Sequence, residues 1–262
     1  MTGISYAFRD SVTMLRRDIK RTLRYPALTI GTIAVPALFL LLFAGVFGQT
    51  LRAGLGQALT GAGYIDYLAP GILVMTACAS AEATAVGTAA DMTDGIIARF
   101  RTMAIARASV LTGKVTGSTI RTLISACLIL GVSFLLGFRP VATFWAWLGV
   151  LGLFTLFALA VTWLTVGMGL AAKTPEGANS ASLLIVILPF VSSAFVPAAS
   201  MPAGVRWFAA NQPFTPVITT IRGLLTGTPI GHSPILAVAW CVLIAAVGFS
   251  WALFRYERNP LR

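Results

Sequence analysis

The chain has 262 residues, of which 57% are hydrophobic and only 10% are charged. Soluble domains carry roughly 25% charged residues, so this chain lacks the polar surface that a globule in water needs. The composition therefore excludes a cytosolic enzyme, a disordered protein and a secreted disulfide scaffold, and it indicates an integral membrane protein.

Residues 1–26 predict a helix that lies on the membrane surface. At about 100° per residue, the apolar side chains fall on one stripe and the basic ones on the opposite face. An apolar face opposite a basic face is typical of interfacial helices, although a solvated helix of a soluble cap is an alternative. Pro26 is expected to end this helix and to redirect the chain into the membrane.

Six apolar runs predict membrane-spanning helices, because about 20 apolar residues are needed to cross the hydrocarbon core. Glu82 interrupts the second run and Arg121 lies near the start of the third. We therefore expect an all-α integral membrane protein with one transmembrane domain. The six predicted spans cover residues 27–48, 70–91, 115–138, 143–172, 178–196 and 235–254.

The basic residues predict the orientation of the chain. Fifteen of the 19 Lys and Arg residues lie on one side of the predicted spans. This asymmetry places both termini in the cytoplasm of a multi-pass protein in the plasma or inner membrane. Because the basic residues lie between apolar runs, the net charge of +11 is expected to meet membrane lipid and no nucleic acid. The four basic residues on the other side are Arg52, Arg139, Arg206 and Arg222.

The segment 197–234 contains six prolines yet remains largely apolar. It is too broken for a spanning helix and too apolar for a hydrated loop. Non-helical backbone within a bilayer is tolerated only against protein or a water-filled cavity. We therefore expect short re-entrant helices that form a packed external lid.

Two ionisable residues in the predicted spans need an explanation. Glu82 in the second span costs on the order of 3 kcal/mol on insertion scales, so it should face the bundle interior or a cavity. It either lines a path for a cationic or amphipathic substrate, or takes up a proton, or is a structural acid that is bound to a nearby Thr or Ser or lies near the cytoplasmic head groups. Arg121 is expected to extend its head group to the membrane interface.

Motifs for nucleotide or metal chemistry are missing. A phosphate-binding loop needs Gly-Lys followed by Ser or Thr, whereas Gly113-Lys114 is followed by valine. The run from Gly167 to Ala172 matches G-x-G-x-x-A, but it lies in an uncharged membrane run, so Gly167 and Gly169 are expected to pack helices. His232 is the only histidine, and the three cysteines are expected to be small apolar residues, so we predict no metal site and no catalytic residues.

Residues 94–104 predict a short amphipathic helix between the second and third spans. Asp94 or Thr93 can cap it, and apolar and basic side chains alternate beyond the cap. Such a helix is suited to docking in the groove of a partner protein, although a simple interfacial turn would give a similar pattern.

Three features of the sequence carry a resemblance to a known family. The first is the basic helix that leads into the first span. The second is DMTDGIIARFRTMAIARASVLTGKVTGSTIR at 91–121, and the third is SSAFVPAASMPAGVRWFAANQPFTPVITTIRGLL at 192–225. Together they resemble ABC-2-type permeases, most closely the permease subunits of daunorubicin-resistance-type exporters. The second feature resembles the family's loop after the second span, and the third resembles its external elements, although Gln212 separates Asn211 from Pro213 where many relatives have Asn-Pro.

The resemblance implies that ATP hydrolysis and transport are carried out by different chains. A separate ATPase subunit, in two copies, would bind ATP and Mg, so this chain would bind no cofactor and be no enzyme. Residues 94–104 would be the coupling helix seated in that ATPase, and a second permease chain, identical or sister, would complete the translocation path. The implied coupling residues are Asp94, Gly95, Arg99, Phe100 and Arg101.

The resemblance also implies that the second and fifth helices line the path and that residues 197–234 form the outer gate. The cargo would be an amphipathic drug-like or lipid-like molecule moved out of the cell, which is typical of antibiotic resistance. An exporter of lipid or polysaccharide from the same superfamily is an alternative. A membrane-embedded enzyme would need clustered His, Asp or Ser in the spans, and a proton-driven transporter would show inverted repeats. The implied path residues are Glu82, Phe190, Ser193 and Phe195.

Overall fold

The computed structural model describes residues 26–48, 63–95 and 107–258. The predicted interfacial helix, apart from its last residue, lies outside these ranges. So do residues 96–106, which include Arg99, Phe100 and Arg101 and most of the predicted coupling helix.

Within the described ranges, all regular structure is helical, as the sequence predicts. The helices follow one another in chain order, and short π or 3₁₀ turns extend or link some of them. They are α1 (Pro26–Leu41, continued by a π turn at Leu42–Val46), α2 (Tyr64–Thr93), α3 (Arg107–Leu135), α4 (Phe144–Ala171), α5 (Pro175–Ile187, continued by a 3₁₀ turn at Leu188–Val191), a 3₁₀ turn at Ala198–Ser200, α6 (Ala203–Asn211), α7 (Phe214–Thr226) and α8 (Ser233–Arg258).

Four described helices are long and apolar enough to cross a membrane: α2, α3 from Leu111, α4, and α8 as far as Tyr256. Among the described residues, the first and fifth predicted spans hold apolar helical stretches of fewer than 18 residues, Gly31–Val46 and Pro175–Val191. Each stretch contains a proline, whose ring removes a backbone donor and clashes with the preceding turn. Pro36 lies inside α1, and Pro189 lies where α5 tightens into its 3₁₀ turn. The count of six spans therefore stays a prediction.

Helices α2 and α4 form the centre of the bundle. Helix α4 packs against α2 on one side and against α8 on the other, and α5 packs on α2. Glycine permits the closest approaches: a Cβ added at Gly169 would lie 2.5 Å from the carbonyl oxygen of Ala85, and one at Gly167 would lie 2.8 Å from Cε3 of Trp251. The prediction that Gly167 and Gly169 pack helices is thus confirmed.

The start of α2 is tied to the connection between α3 and α4 through one carboxylate. Asp66 caps α2 by accepting a hydrogen bond of 2.9 Å from the backbone N–H of Gly63. Its other oxygen accepts a hydrogen bond of 3.0 Å from the backbone N–H of Arg139. An acidic side chain in the first turn also suits the positive end of the helix dipole. This carboxylate fixes the end of the bundle that the charge pattern predicts to be external.

The segment 197–234 contains the 3₁₀ turn, α6 and α7, so the predicted short helices are present. Helix α7 is amphipathic, and its apolar side is fully buried against α2, α4 and α8. It ends at Gly227, whose φ of +72° is the left-handed cap that glycine favours. Helix α6 lies outside the core, with Trp207 70% exposed. The segment therefore has one anchored helix and one surface helix.

Candidate functional site

Arg222 on α7 holds the anchored helix of the lid to the start of α2. Its Nε donates to the carbonyl oxygen of Tyr67 at 3.1 Å, and its Nη2 donates to the carbonyl oxygen of Ser193 at 2.7 Å. The guanidinium carbon lies 3.6 Å from the centre of the Tyr67 ring. No carboxylate from the described residues pairs with Arg222. The two carbonyl groups and the ring face therefore carry the stabilisation of this cation.

Two tyrosines fasten the turn 192–196 to the same end of α2. The Tyr67 hydroxyl donates to the carbonyl oxygen of Ser193 at 2.9 Å, and the Tyr64 hydroxyl donates to that of Phe195 at 3.2 Å. The backbone of Ala194 packs directly on Gly71, where an added Cβ would lie 2.7 Å from the Cβ of Ala194. We call Tyr64, Tyr67, Arg222 and the turn 192–196 the latch.

Four phenylalanines from α1 and its π turn, from the 3₁₀ turn after α5 and from the turn 192–196 form an aromatic cluster at the latch. Phe195 lies 5.0 Å from Phe43 and 5.2 Å from Phe190, measured between ring centres, and Phe39 lies 5.2 Å from Phe190. Phe195 is buried, whereas Phe190 is 38% exposed. Two of the predicted path residues, Phe190 and Phe195, are therefore brought together, at the edge of an aromatic surface.

Ser193 belongs to the latch through its backbone. Its carbonyl oxygen accepts from both Tyr67 and Arg222, and its side chain is only 5% exposed. Nothing in the described part of the chain hydrogen-bonds to its Oγ. Buried hydroxyls are usually paired, so this unpaired Oγ is a polar point next to the aromatic cluster.

Glu82, the fourth predicted path residue, lies far from the other three. It follows Gly71 by eleven residues on α2, which is roughly 16 Å along the helix axis. Its side chain is half-buried, and within the described ranges no hydrogen bond or ion pair reaches its carboxylate. The interpretation of Glu82 as a structural acid bound to a neighbouring Thr or Ser therefore finds no such partner among the described residues.

Small side chains surround Glu82 on the face of α2 that the bundle leaves partly open. Ala79, Ala83 and Gly87 are each partly exposed, and a Cβ added at Gly87 would meet nothing within 4 Å. The carboxylate therefore stands beside open space on the central helix. A carboxylate in such a place can bind a cation or take up a proton.

A polar seam joins α2 to α3 on the far side of the bundle from the latch. Lys114 forms an ion pair with Asp91 and also donates to the carbonyl oxygen of Gly87 at 3.1 Å. Deeper in the bundle, the hydroxyls of Thr84 and Ser118 lie 2.5 Å apart. We call these contacts, together with that of Arg121 below, the α2–α3 seam.

The expectation that Arg121 extends to the membrane interface is wrong. Its Nη2 donates to Oγ1 of Thr84 at 3.0 Å and lies 3.4 Å from Oγ of Ser118. These two hydroxyls offer acceptors across the helix pair, so Nη2 of the guanidinium is hydrogen-bonded inside the protein instead of at the lipid head groups.

Two of the predicted coupling residues form the turn that ends α2. The backbone N–H of Asp94 donates to the carbonyl oxygen of Ala90 at 2.9 Å, and that of Gly95 donates to Met92 at 3.2 Å. Gly95 has a φ of +69°, which favours glycine at the end of a helix. Helix α2 therefore ends in a hydrogen-bonded turn at Asp94 and Gly95, from which the chain continues toward residues 96–106.

Sequence analysis missed the latch and the α2–α3 seam. Arg222 had been counted only as one of four external charges, and a basic residue amid the apolar lid was the available signal. Asp91 begins the motif at 91–121 and Lys114 lies within it, and their opposite charges are the corresponding signal for the seam.

The chain matches one known protein family over most of its length. A family model described as ABC-2 type transporter matches residues 10–226. Over 223 residues the chain is 25% identical to a daunorubicin resistance ABC transporter permease protein of Streptomyces coeruleorubidus, covering 85% of this chain and 77% of that protein.

Two further relatives cover similar shares. Over 250 residues the chain is 25% identical to a probable doxorubicin resistance ABC transporter permease protein of Mycobacterium tuberculosis, covering 92% of this chain and 88% of that protein. Over 237 residues it is 26% identical to a putative transport permease of Porphyra purpurea, covering 87% of this chain and 78% of that protein.

Proposed function

The chain belongs to the ABC-2 type transporter family, and from that premise we propose that it is the membrane-spanning permease subunit of an exporter of amphipathic, drug-like molecules. The observation that carries the proposal is the match to drug-resistance permeases over 85% and 92% of this chain. The helical bundle, with four apolar helices of spanning length among its described residues, supports it.

ATP hydrolysis is assigned to a separate ATPase subunit, present in two copies with its own ATP and Mg. The sequence supports this assignment, because it has no phosphate-binding loop of the Gly-Lys-Ser/Thr type. The proposed contact is the segment 94–104, with Phe100 as the apolar anchor between Arg99 and Arg101, next to Asp94 and Gly95. Work is transmitted only if the ATPase binds this segment differently in its open and closed states.

The translocation path is proposed to lie between two permease chains, identical or sister, each with six spans and both termini in the cytoplasm. Helices α2 and α5 pack on each other. Helix α2 presents the open face around Glu82, and α5 presents exposed apolar side chains such as Leu184, which is 68% exposed. Surfaces of this kind suit a second chain or an amphipathic cargo.

The cargo is proposed to be a flat cationic molecule that meets two sites in turn. The carboxylate of Glu82 supplies a counter-charge on α2, and the cluster around Phe190 and Phe195 supplies ring faces beside the start of the same helix. The lid at 197–234, held by the latch, is the proposed outer gate. If the cargo were instead a lipid or a polysaccharide, the transport rate would not depend on the charge of Glu82.

The test is export from cells that lack their own drug pumps. We expect doxorubicin accumulation to fall only when the chain is co-expressed with its cognate ATPase, and Glu82→Gln to abolish most of that export. Glu176→Gln is the matched control, because Glu176 is an exposed acid at the start of α5. Unchanged export of cationic drugs by Glu82→Gln would remove the acid from the path, and export without any ATPase would overturn the proposed function.

The ATPase contact is tested separately by Phe100→Asp. We expect it to reduce both co-purification of the ATPase and export, whereas Phe100→Leu, which keeps an apolar side chain, preserves both. If Phe100→Asp leaves co-purification and export unchanged, Phe100 is not the anchor.

A further inference from the structure

The ion pair of Asp91 and Lys114 joins the two helix ends that flank the connection at residues 94–106. Asp91 lies in the last turn of α2 and is 6% exposed, and Lys114 lies in the third turn of α3. Lys114 also donates to the carbonyl oxygen of Gly87 at 3.1 Å, so its ammonium binds α2 at two points one turn apart. The pair is therefore built into the helix interface and is unlike a surface ion pair.

The α2–α3 seam continues this connection into the bundle. Thr84 lies seven residues before Asp91, roughly 10 Å along α2, and its hydroxyl meets both Ser118 and Arg121 of α3. Polar contacts between α2 and α3 thus occur at two levels. A displacement of one helix end relative to the other would have to break the ion pair first.

The partial burial of this pair, in which 19% of the Lys114 side chain and 8% of the Asp91 side chain are exposed, indicates what it does. Taking two charges out of water costs nearly as much as their attraction returns, so a buried ion pair adds little to overall stability. Its best-attested use is to fix register between the elements that it joins. At the base of a connection that contacts another protein, a fixed register makes the two helices move together.

We propose that Asp91 and Lys114 form a brace that makes α2 and α3 respond as one lever when the ATPase moves the connection. This inference rests on the proposed function, because the segment 94–104 must be the ATPase contact. Movement of the lever carries the Glu82 face of α2, so the brace couples ATP hydrolysis to the path. Asp91 and Lys114 are positioning residues and do not contact the cargo.

The experiment measures doxorubicin transported per ATP hydrolysed by the reconstituted complex of permease and ATPase. We expect Asp91→Asn and Lys114→Met each to assemble with the ATPase and to hydrolyse ATP, but to lower this ratio roughly tenfold, within the usual range of coupling free energies. The exchange variant Asp91→Lys with Lys114→Asp restores the pair and should restore most of the ratio. Lys173→Met is the control, because Lys173 is an exposed cation in the connection between α4 and α5.

Each outcome decides between the two proposals. If the wild-type complex shows no ATP-driven transport, the proposed function fails. If the wild type transports and the two single variants keep its ratio, only the brace is refuted, and an exchange variant that assembles without regaining the ratio also refutes it. Should a single variant fail to accumulate in the membrane, Asp91→Glu, which keeps the charge, must retain coupling and the exchange variant must regain it.

Discussion

Replacing Gly169 with alanine tests whether the close approach of α4 to α2 holds the centre of the bundle. The added Cβ would lie 2.5 Å from the carbonyl oxygen of Ala85 and 2.8 Å from the Cβ of Thr88. Neither atom is the end of a flexible side chain, so the clash is relieved only by separating the two helices. Overpacking of this kind costs about 1–3 kcal/mol.

Gly152 supplies a matched control in the same helix. It is exposed, and a Cβ there would meet nothing within 4 Å, so Gly152→Ala receives only the higher helix propensity of alanine, about 1 kcal/mol. Gly169→Ala receives the same gain together with the clash. The difference between the two variants therefore isolates the contact of α4 with α2.

The assay is thermal unfolding of the purified chain in detergent. For a chain of this size, each kcal/mol shifts Tm by about 2–4 °C, so Gly169→Ala should melt about 2–12 °C below Gly152→Ala. If Gly169→Ala melts at or above Gly152→Ala, the two helices do not approach through glycine and the packing of the bundle centre is wrong.

Three further predictions concern the latch and the cysteines. Arg222→Met removes charged hydrogen bonds to two carbonyl groups, so it should lower the free energy of unfolding by about 1.5–3 kcal/mol or more and speed proteolysis of the lid. An unchanged cleavage rate would contradict the role of Arg222 as the anchor of the lid. Tyr67→Phe should lower the free energy of unfolding by less, about 0.5–1.5 kcal/mol in denaturant, because Arg222 still donates to the Ser193 carbonyl. A larger loss than in Arg222→Met would contradict the greater weight given to Arg222. A lipid-soluble maleimide should label one thiol of the folded chain, at Cys127, because the other two cysteines are buried; mass spectrometry showing a label on either buried thiol would contradict this.

Local patterns in the sequence predict the helices of this fold well. Apolar runs locate the long helices, and the glycines at 167 and 169 predict close packing inside an uncharged run. The prolines of 197–234 predict short helices in the lid. In each of these cases the signal lies within one short segment, although the partners of the two glycines, Ala85 and Trp251, lie on other helices.

The contacts of the candidate site depend on residues far apart in the chain. Arg222 meets Tyr67 across 155 positions, and Arg121 meets Thr84 across 37. Periodicity and composition do not specify such partners. An isolated arginine next to apolar residues predicts an interfacial side chain, and only the fold shows that hydroxyls or carbonyl groups are close enough to bind it.

The predicted path residues also differ in what the sequence predicts and what only the fold shows. Sequence resemblance selected Glu82, Phe190, Ser193 and Phe195 together. The fold separates the acid from the aromatic cluster, because Phe195 is hydrogen-bonded to Tyr64 at the start of α2, whereas Glu82 lies eighteen residues further along the helix. The proposed cargo therefore meets a charged site and an aromatic site at different depths.

The central claim is that this chain conducts cargo and that another subunit supplies the energy. The most direct measurement is doxorubicin movement into proteoliposomes that contain the purified chain, with and without the cognate ATPase. The account predicts transport only when the ATPase and ATP are both present, and no ATP hydrolysis by the chain alone. Transport by the chain alone along an ion gradient, or nucleotide hydrolysis in the absence of the second subunit, would contradict it.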